Sequence, residues 1–378
     1  MIEKKKRPKE VPLVLYSVLR DFTPNSLRQF FIQFFFTISP DVPYDLSKRI
    51  SEKHYWRVIV YGCAISIIFC FFLTAAFCYS EGVLYSQQGK IPSGLKGEVK
   101  YFLNDNVNII MYTVITPLTV GIGLALLLAT INTWQTLDHC LERQRNSLLN
   151  WKGFILVSLI IVASSVVISN YINDIVNTNT ELGEIANKHH YWFLGNPQSE
   201  VLIKPITIFY TILNFVILVF TLSCIAMFVT AIRPIVKLSD LISSHGIKLV
   251  NSQKDLLDRL ACFADVYLFA KILLAITMVH SIVWSYSPLA VTSNFNLERG
   301  FIVFVSIFFI SVPRLHFELA WYRSALKYKK LGVNIDLKPD YIHGFNYYAI
   351  WIADYLIIGS YAVSLTGILN FGPYASIS

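Results

Sequence analysis

Residues 58–79 read VIVYGCAISIIFCFFLTAAFCY, from Val58 to Tyr79 without one charged side chain. A helix needs about 20 mostly apolar residues to cross the hydrocarbon core of a bilayer. Arg57 stands just before the run and Glu81 just after it. The stretch therefore predicts a membrane span, and the rest of the chain repeats the pattern. Asn106–Leu137, Gly153–Asn173, Pro205–Ile232 and Ile272–Leu297 are likewise free of charged residues. Gly300–Pro313 is short, but its helical pattern runs on through Arg314, His316 and Glu318, which predicts a sixth span over 300–320. Asn346–Phe371 is interrupted only by Asp354 and predicts a seventh.

Composition agrees. Of 378 residues, 54% are hydrophobic, 15% aromatic and only 15% charged, against about 25% charged in an ordinary soluble domain. That balance excludes a disordered chain, which needs low hydrophobicity and high charge. It also argues against a soluble enzyme. The fold class read from these runs is all-α, a polytopic membrane protein. It divides into a cytoplasmic arm, 1–56, and a seven-helix domain, 57–378.

The positive-inside rule orients the spans. With the N-terminus inside, 26 of the 32 Lys and Arg residues fall in cytoplasmic segments, and the tail after Phe371 has none. The reading is N-terminus cytoplasmic and C-terminus outside. The net charge of +8 then describes a basic inner face, and anionic inner-leaflet lipid accounts for much of it. No early apolar core with a cleavage site is present, so no signal peptide is expected. The six cysteines avoid the outer loops and no Asn-x-Ser/Thr sequon occurs. That fits a bacterial inner membrane and excludes a secreted disulfide framework.

Several segments outside the spans carry a pattern. Leu27, Phe30, Phe31, Phe34, Phe35 and Ile38 follow helical spacing before Ser39-Pro40. They predict a short helix on the inner leaflet or against the inner ends of other spans. The outer loop 174–204 holds Asp174, Glu181, Glu184 and Glu200 against Lys188 and Lys204. It reads as a solvated loop or a mildly cation-attracting mouth. Leu256, Leu257, Leu260, Phe263, Val266 and Tyr267 lie on one side of a helix leading into the fifth span. The fifth and sixth helices are expected to project inward and form a cytoplasmic bundle.

No catalytic constellation is found: no His-Glu-x-x-His, no Cys-x-x-Cys, no Gly-x-x-x-x-Gly-Lys loop and no Gly-x-Ser-x-Gly elbow. The chain is therefore not expected to be an enzyme or to carry a metal or cofactor. His189-His190 are adjacent in sequence and make a poor metal pair. Gly121-x-Gly123 reads as close helix packing. Charge inside a span is the better lead, because it is costly and usually functional. Asp354 lies about 12 Å into the seventh span at 1.5 Å per residue. Ser360, Ser364 and Gly367 form a small, polar stripe beyond it, with Asn370 near the outer end. Asp354 with Ser360, Ser364, Gly367 and Asn370 could line a pore, where symmetry-related acids select cations. Asp354 could equally pair with Lys271 or an Arg of the sixth span. Lys271, at the inner end of the fifth span, is expected to snorkel to the headgroups.

The third lead is the inner extension 314–330. His316, Arg323, Lys327 and Lys330 share one helical face, with Trp321 and Tyr328 on a neighbouring one. Basic residues beside aromatics suit phosphate contact with base stacking or an anionic lipid interface.

Seven helices, an internal N-terminus and a polar last helix resemble the seven-helix ion channels, which include insect odorant and gustatory receptors. The resemblance implies a homotetramer whose last helix lines the pore. The last-helix signature of that group, Thr-Tyr, five apolar residues and Gln-Phe, is replaced here by Ser360-Tyr361, eight residues and Asn370-Phe371. The match is one of topology. The plan also resembles membrane effectors of bacterial anti-phage systems, of the Hailong type, held shut by a DNA oligomer. That implies an anionic nucleotide or oligonucleotide ligand and a partner nucleotidyltransferase. The competing expectation is a secondary transporter with Asp354 as its ion or proton site. A membrane enzyme acting on lipid would need an acid or histidine cluster, and none is apparent.

Overall fold

The structure, a computed structural model, describes residues 52–86, 99–141, 148–177, 179–197, 204–224, 253–287, 289, 295–312 and 345–365, with scattered positions between 315 and 330. The expected inner-leaflet helix at 27–38 lies outside the described residues. Among them the chain is almost entirely helical, without strands and with one isolated bridge, Lys100 to Tyr191. Among the described residues five helices are long and apolar enough to cross a membrane: Tyr55–Glu81, Asn106–Thr130, Ser158–Val176, Pro205–Cys224 and Asp265–Trp284. Arg299–Phe308 and Ala349–Val363 are shorter apolar helices. In lipid no water is available to the backbone, so helices that satisfy every N–H and C=O internally are the economical solution for such runs.

Helix α1 (Glu52–Ile67) continues through a π-helical turn, Ile68–Phe72, into α2 (Leu73–Glu81). It stops at Gly82, whose φ of 79° only glycine adopts at little cost. The Gly82 N–H donates to the Tyr79 carbonyl and the Val83 N–H to that of Cys78, the paired bonds of a Schellman ending. Helix α3 (Asn106–Ile110) passes through a second π segment, Met111–Ile115, into α4 (Thr116–Leu141). Then come α5 (Leu148–Val176), the short α6 (Glu181–Lys188), α7 (Pro205–Cys224) and α8 (Gln253–Trp284). Helix α9 (Phe295–Val305) runs into a third π segment, Ser306–Ser311, and α10 (Phe345–Leu365) follows. Two of the π segments stop two residues before a proline, Pro117 and Pro313. A proline has no N–H for the carbonyl four residues back, and a shift to i→i+5 bonding accommodates the gap.

Helix α8 extends unbroken from Gln253 to Trp284. Lys271 therefore sits well inside it, not just before a span that reaches Leu297. Val266 and Tyr267 are buried, as their helical pattern predicts.

Helices α4 and α8 form the centre, with more than half of each apolar span buried. One core joins α1, α4, α8, α9 and α10 through Ile59, Leu126, Leu128, Leu273, Met278, Ile302, Ile310 and Ile357. Helix α1 meets α4 at glycines. A Cβ on Gly121 would lie 2.8 Å from both the Ile59 carbonyl and Cys63 Sγ, and one on Gly62 would lie 3.0 Å from Gly121 Cα. A Cβ on Gly123 would meet Phe220 and Cys224 of α7 within 2.9 Å. Gly121-x-Gly123 is thus a packing motif, as the sequence suggests. In lipid, where burial of apolar surface drives helix association weakly, such close backbone approach carries more of the packing energy.

Gly121→Val should lower thermal stability in detergent by roughly 1–3 kcal/mol, the usual cost of overpacking. A Cβ on Gly359 would have nothing within 4 Å. Gly359→Ala should therefore leave stability unchanged or raise it slightly. Equal melting of the two variants would remove the glycine interface from the fold.

Candidate functional site: a buried ion pair between three helices

Lys271 projects from the middle of α8, and its side chain is 2% exposed. It does not snorkel, because packed neighbours enclose it; it makes instead the pair with Asp354 that was the alternative reading of that acid. Its Nζ lies 2.5 Å from Asp354 Oδ1 on α10. It also donates to Ser306 Oγ at 2.6 Å and Ser311 Oγ at 3.0 Å, and approaches the Ser306 carbonyl at 3.2 Å. An ammonium has three donors in a compact head, and here oxygens from two other elements surround it.

The π segment explains how two serines reach one lysine. Residues five apart point in different directions on an α-helix. Under i→i+5 bonding they come into register one above the other. Ser306 and Ser311 thereby share a face, and the Ser311 hydroxyl also lies 3.3 Å from the Ser306 carbonyl. Ser306 is buried, between Val305 and the fully enclosed Ile310. Asp354 stands beside buried Ala353 and is 25% exposed. The cation is thus sealed while the acid keeps an opening.

A second cation is buried nearby. Arg299, at the start of α9's apolar stretch, is fully enclosed. Its Nε donates to Ser281 Oγ at 3.1 Å and Nη2 to the Ser281 carbonyl at 3.2 Å. Lys271 and Ser281 both belong to α8, about 15 Å apart along its axis. Two points of polar attachment therefore fix α9 against α8.

At the end of the bundle where α2 stops and α3 begins, the connecting segments fold into an aromatic cap. Trp192, Phe102, Phe193, Tyr191 and Tyr101 are all buried. The Trp192 Nε1 donates to Asp105 Oδ2 at 3.1 Å, and Asn108 Nδ2 donates to the same oxygen at 2.7 Å. Asp105 also caps α3 by accepting from the Asn108 backbone N–H. The Trp192 N–H donates to the Lys100 carbonyl, which ties the two connections together. The segment 174–197 is accordingly not the plain solvated loop that its acids suggest. Asp174, Glu181 and Glu184 face solvent, and the aromatics beneath them are core. No cluster of three or more metal-ligating residues occurs among the described residues, His189 and His190 included.

The other sequence candidates divide as follows. Ser360 is half-buried on α10. Ser364 belongs to α10, with its side chain outside the described set, and Gly367 and Asn370 lie outside the described residues. His316, Arg323 and Lys330 are exposed on helical positions beyond the third π segment. Trp321, Lys327 and Tyr328 lie outside the described residues. The structure thus brings Asp354 to Lys271, which Ser306 and Ser311 also hold. The sequence signal for the pair was an acid inside one apolar run and a lysine at the edge of another. Nothing in the sequence marked the π turn that recruits Ser306 and Ser311. No family model matches the chain, and neither does any curated protein or solved structure.

Removing either partner leaves an uncompensated charge, and the two cases differ. Asp354→Leu strands a sealed ammonium, and Lys271→Met strands a carboxylate that still reaches its opening. Asp354→Leu should cost about 3 kcal/mol or more of stability in detergent, and Lys271→Met should cost less. The double variant Lys271→Met with Asp354→Leu should recover most of the loss. Additive losses in that double-mutant cycle would show that the pair does not couple the helices.

Proposed function

We propose that the chain is a subunit of a homo-oligomeric, ligand-gated ion channel of a bacterial inner membrane, most simply a tetramer. Its seven spans combine the five long apolar helices with Arg299–Phe308 and Ala349–Val363. The charge asymmetry orients them, with the N-terminus and the basic extension inside and the aromatic cap outside. The observation that carries the reading is the Lys271–Asp354 pair. A buried salt bridge is a weak device for stability, because desolvation consumes most of the Coulomb gain. Ionisable groups held within a membrane are characteristically parts of an ion pathway. In this conformation Lys271 neutralises Asp354, so the acid cannot yet serve a cation.

Ser306 and Ser311, which hold Lys271, precede His316, Arg323 and Lys330 in the chain, and each of those three is an exposed helical position. An anionic cytoplasmic ligand on those basic residues, a nucleotide or a DNA oligomer, would act on the inner end of this segment. A small rotation of the π segment changes how Lys271 is shared between the serines and Asp354. Such a rotation would give this element two arrangements, which a ligand could bias. A DNA oligomer as ligand would place the channel among anti-phage effectors and beside a nucleotidyltransferase. The same pair also favours a second reading, a secondary transporter in which Asp354 exchanges Lys271 for an ion or proton.

Purified protein reconstituted in planar bilayers should carry current, and short DNA oligomers on the cytoplasmic side should change its open probability. Asp354→Asn should shift the reversal potential under a salt gradient toward lower cation preference. Lys271→Gln should raise basal current, because the acid is released. Absence of current together with substrate-coupled proton uptake in proteoliposomes would establish the transporter instead.

A further inference from the structure

The oxygens around Lys271 form a site that the lysine itself fills. Four of them lie within 3.2 Å of its Nζ: Asp354 Oδ1, Ser306 Oγ, Ser311 Oγ and the Ser306 carbonyl oxygen. They come from α10 and the third π segment, whereas the ammonium comes from α8. The cation and the cage around it therefore belong to separate elements. The ammonium is carried on a flexible four-carbon stem, so its head can leave the cage while the helices stay packed.

The chemistry of the set defines what else can occupy it. All four donors are oxygens, the ligands of hard cations, and none is an imidazole or a thiolate that would select a transition metal. The set carries one formal negative charge, on Asp354. A monovalent cation leaves the site neutral, as the ammonium does. A divalent cation would leave a net charge beside buried Ser306, which the enclosed bundle penalises. The site also has an entrance. On α10, Ile350, Ala353 and Ile357 are buried, while Trp351, Tyr355 and Ile358 are exposed. Asp354 stands at the border of these two faces and is 25% exposed. An ion arriving at that border meets the carboxylate first.

We propose that Asp354, Ser306 and Ser311 form a binding site for a monovalent cation of the Na+ or K+ class, and that the Lys271 ammonium is a tethered occupant competing for it. The inference deepens the ion-pathway reading above, on which it rests, by naming the ion class and the oxygens that hold it. In the unsubstituted chain the tether keeps the ammonium at high effective concentration, so free ions compete poorly. Truncating the lysine opens the site.

Lys271→Ala tests this in the full-length chain, purified in detergent. With choline as the only small cation, its melting temperature should fall below that of the unsubstituted chain. NaCl or KCl at the same ionic strength should raise it by several degrees, and saturably, as a ligand of the folded state does. The unsubstituted chain should shift little. Radiolabelled Na+ or Rb+ should bind the variant at one ion per chain, and Lys271→Ala with Asp354→Asn should bind none. Lys271→Met keeps most of the packed stem and can turn its methyl aside, so it should give the same response if the alanine variant does not fold. An equal response to choline, an ion response that survives Asp354→Asn, or no ion response would overturn the proposal. So would failure of both single variants to fold in cells, where monovalent cations abound. Ion binding without current would retain the site and remove the channel. Current from the unsubstituted chain without ion binding in the variants would retain the channel and remove the site.

Discussion

A lysine ammonium cannot remain charged in the middle of a packed membrane bundle unless oxygens surround it. Lys271 meets that condition with a carboxylate from α10 and two hydroxyls from the π segment after α9. The requirement reaches outward from there. Helix α10 has to present Asp354 toward α8, which turns Ala353 and Ile357 into the core. The helix after α9 has to present Ser306 and Ser311 on one face, which regular α-helical bonding does not do. The third π segment is thus both a way past Pro313 and the geometry that completes the lysine's coordination.

The bundle is held by different means on its two sides. Helices α1, α4 and α7 meet through Gly62, Gly121 and Gly123, where backbones and side chains interlock at near-contact distance. Such an interface resists displacement, because any shift opens a void or forces a clash. Helices α9 and α10 share the apolar core with α8 through Ile302, Ile350 and Ile357 and add directional polar bonds to Lys271 and Ser281. Those bonds can be exchanged among neighbouring oxygens over small distances. The aromatic cap around Trp192 belongs to the first kind and fixes the start of α3 through Asp105.

The uncharged runs were legible because lipid imposes a simple rule on length and polarity. The run from Val58 to Tyr79 became a continuous helix, and the Gly121-x-Gly123 spacing became close packing. What was misread depends on three-dimensional enclosure. Lys271 lies next to a run boundary in sequence, so snorkelling was the natural expectation. Only the packing of α9 and α10 around that position seals the side chain. The loop 174–197 looked solvated because its charges are conspicuous. Its aromatics, Tyr191, Trp192 and Phe193, are consecutive and show no periodicity, so their burial follows from packing against Phe102 and Tyr210. The π turns were illegible because a one-residue change in bonding register leaves no composition signal beyond a nearby proline.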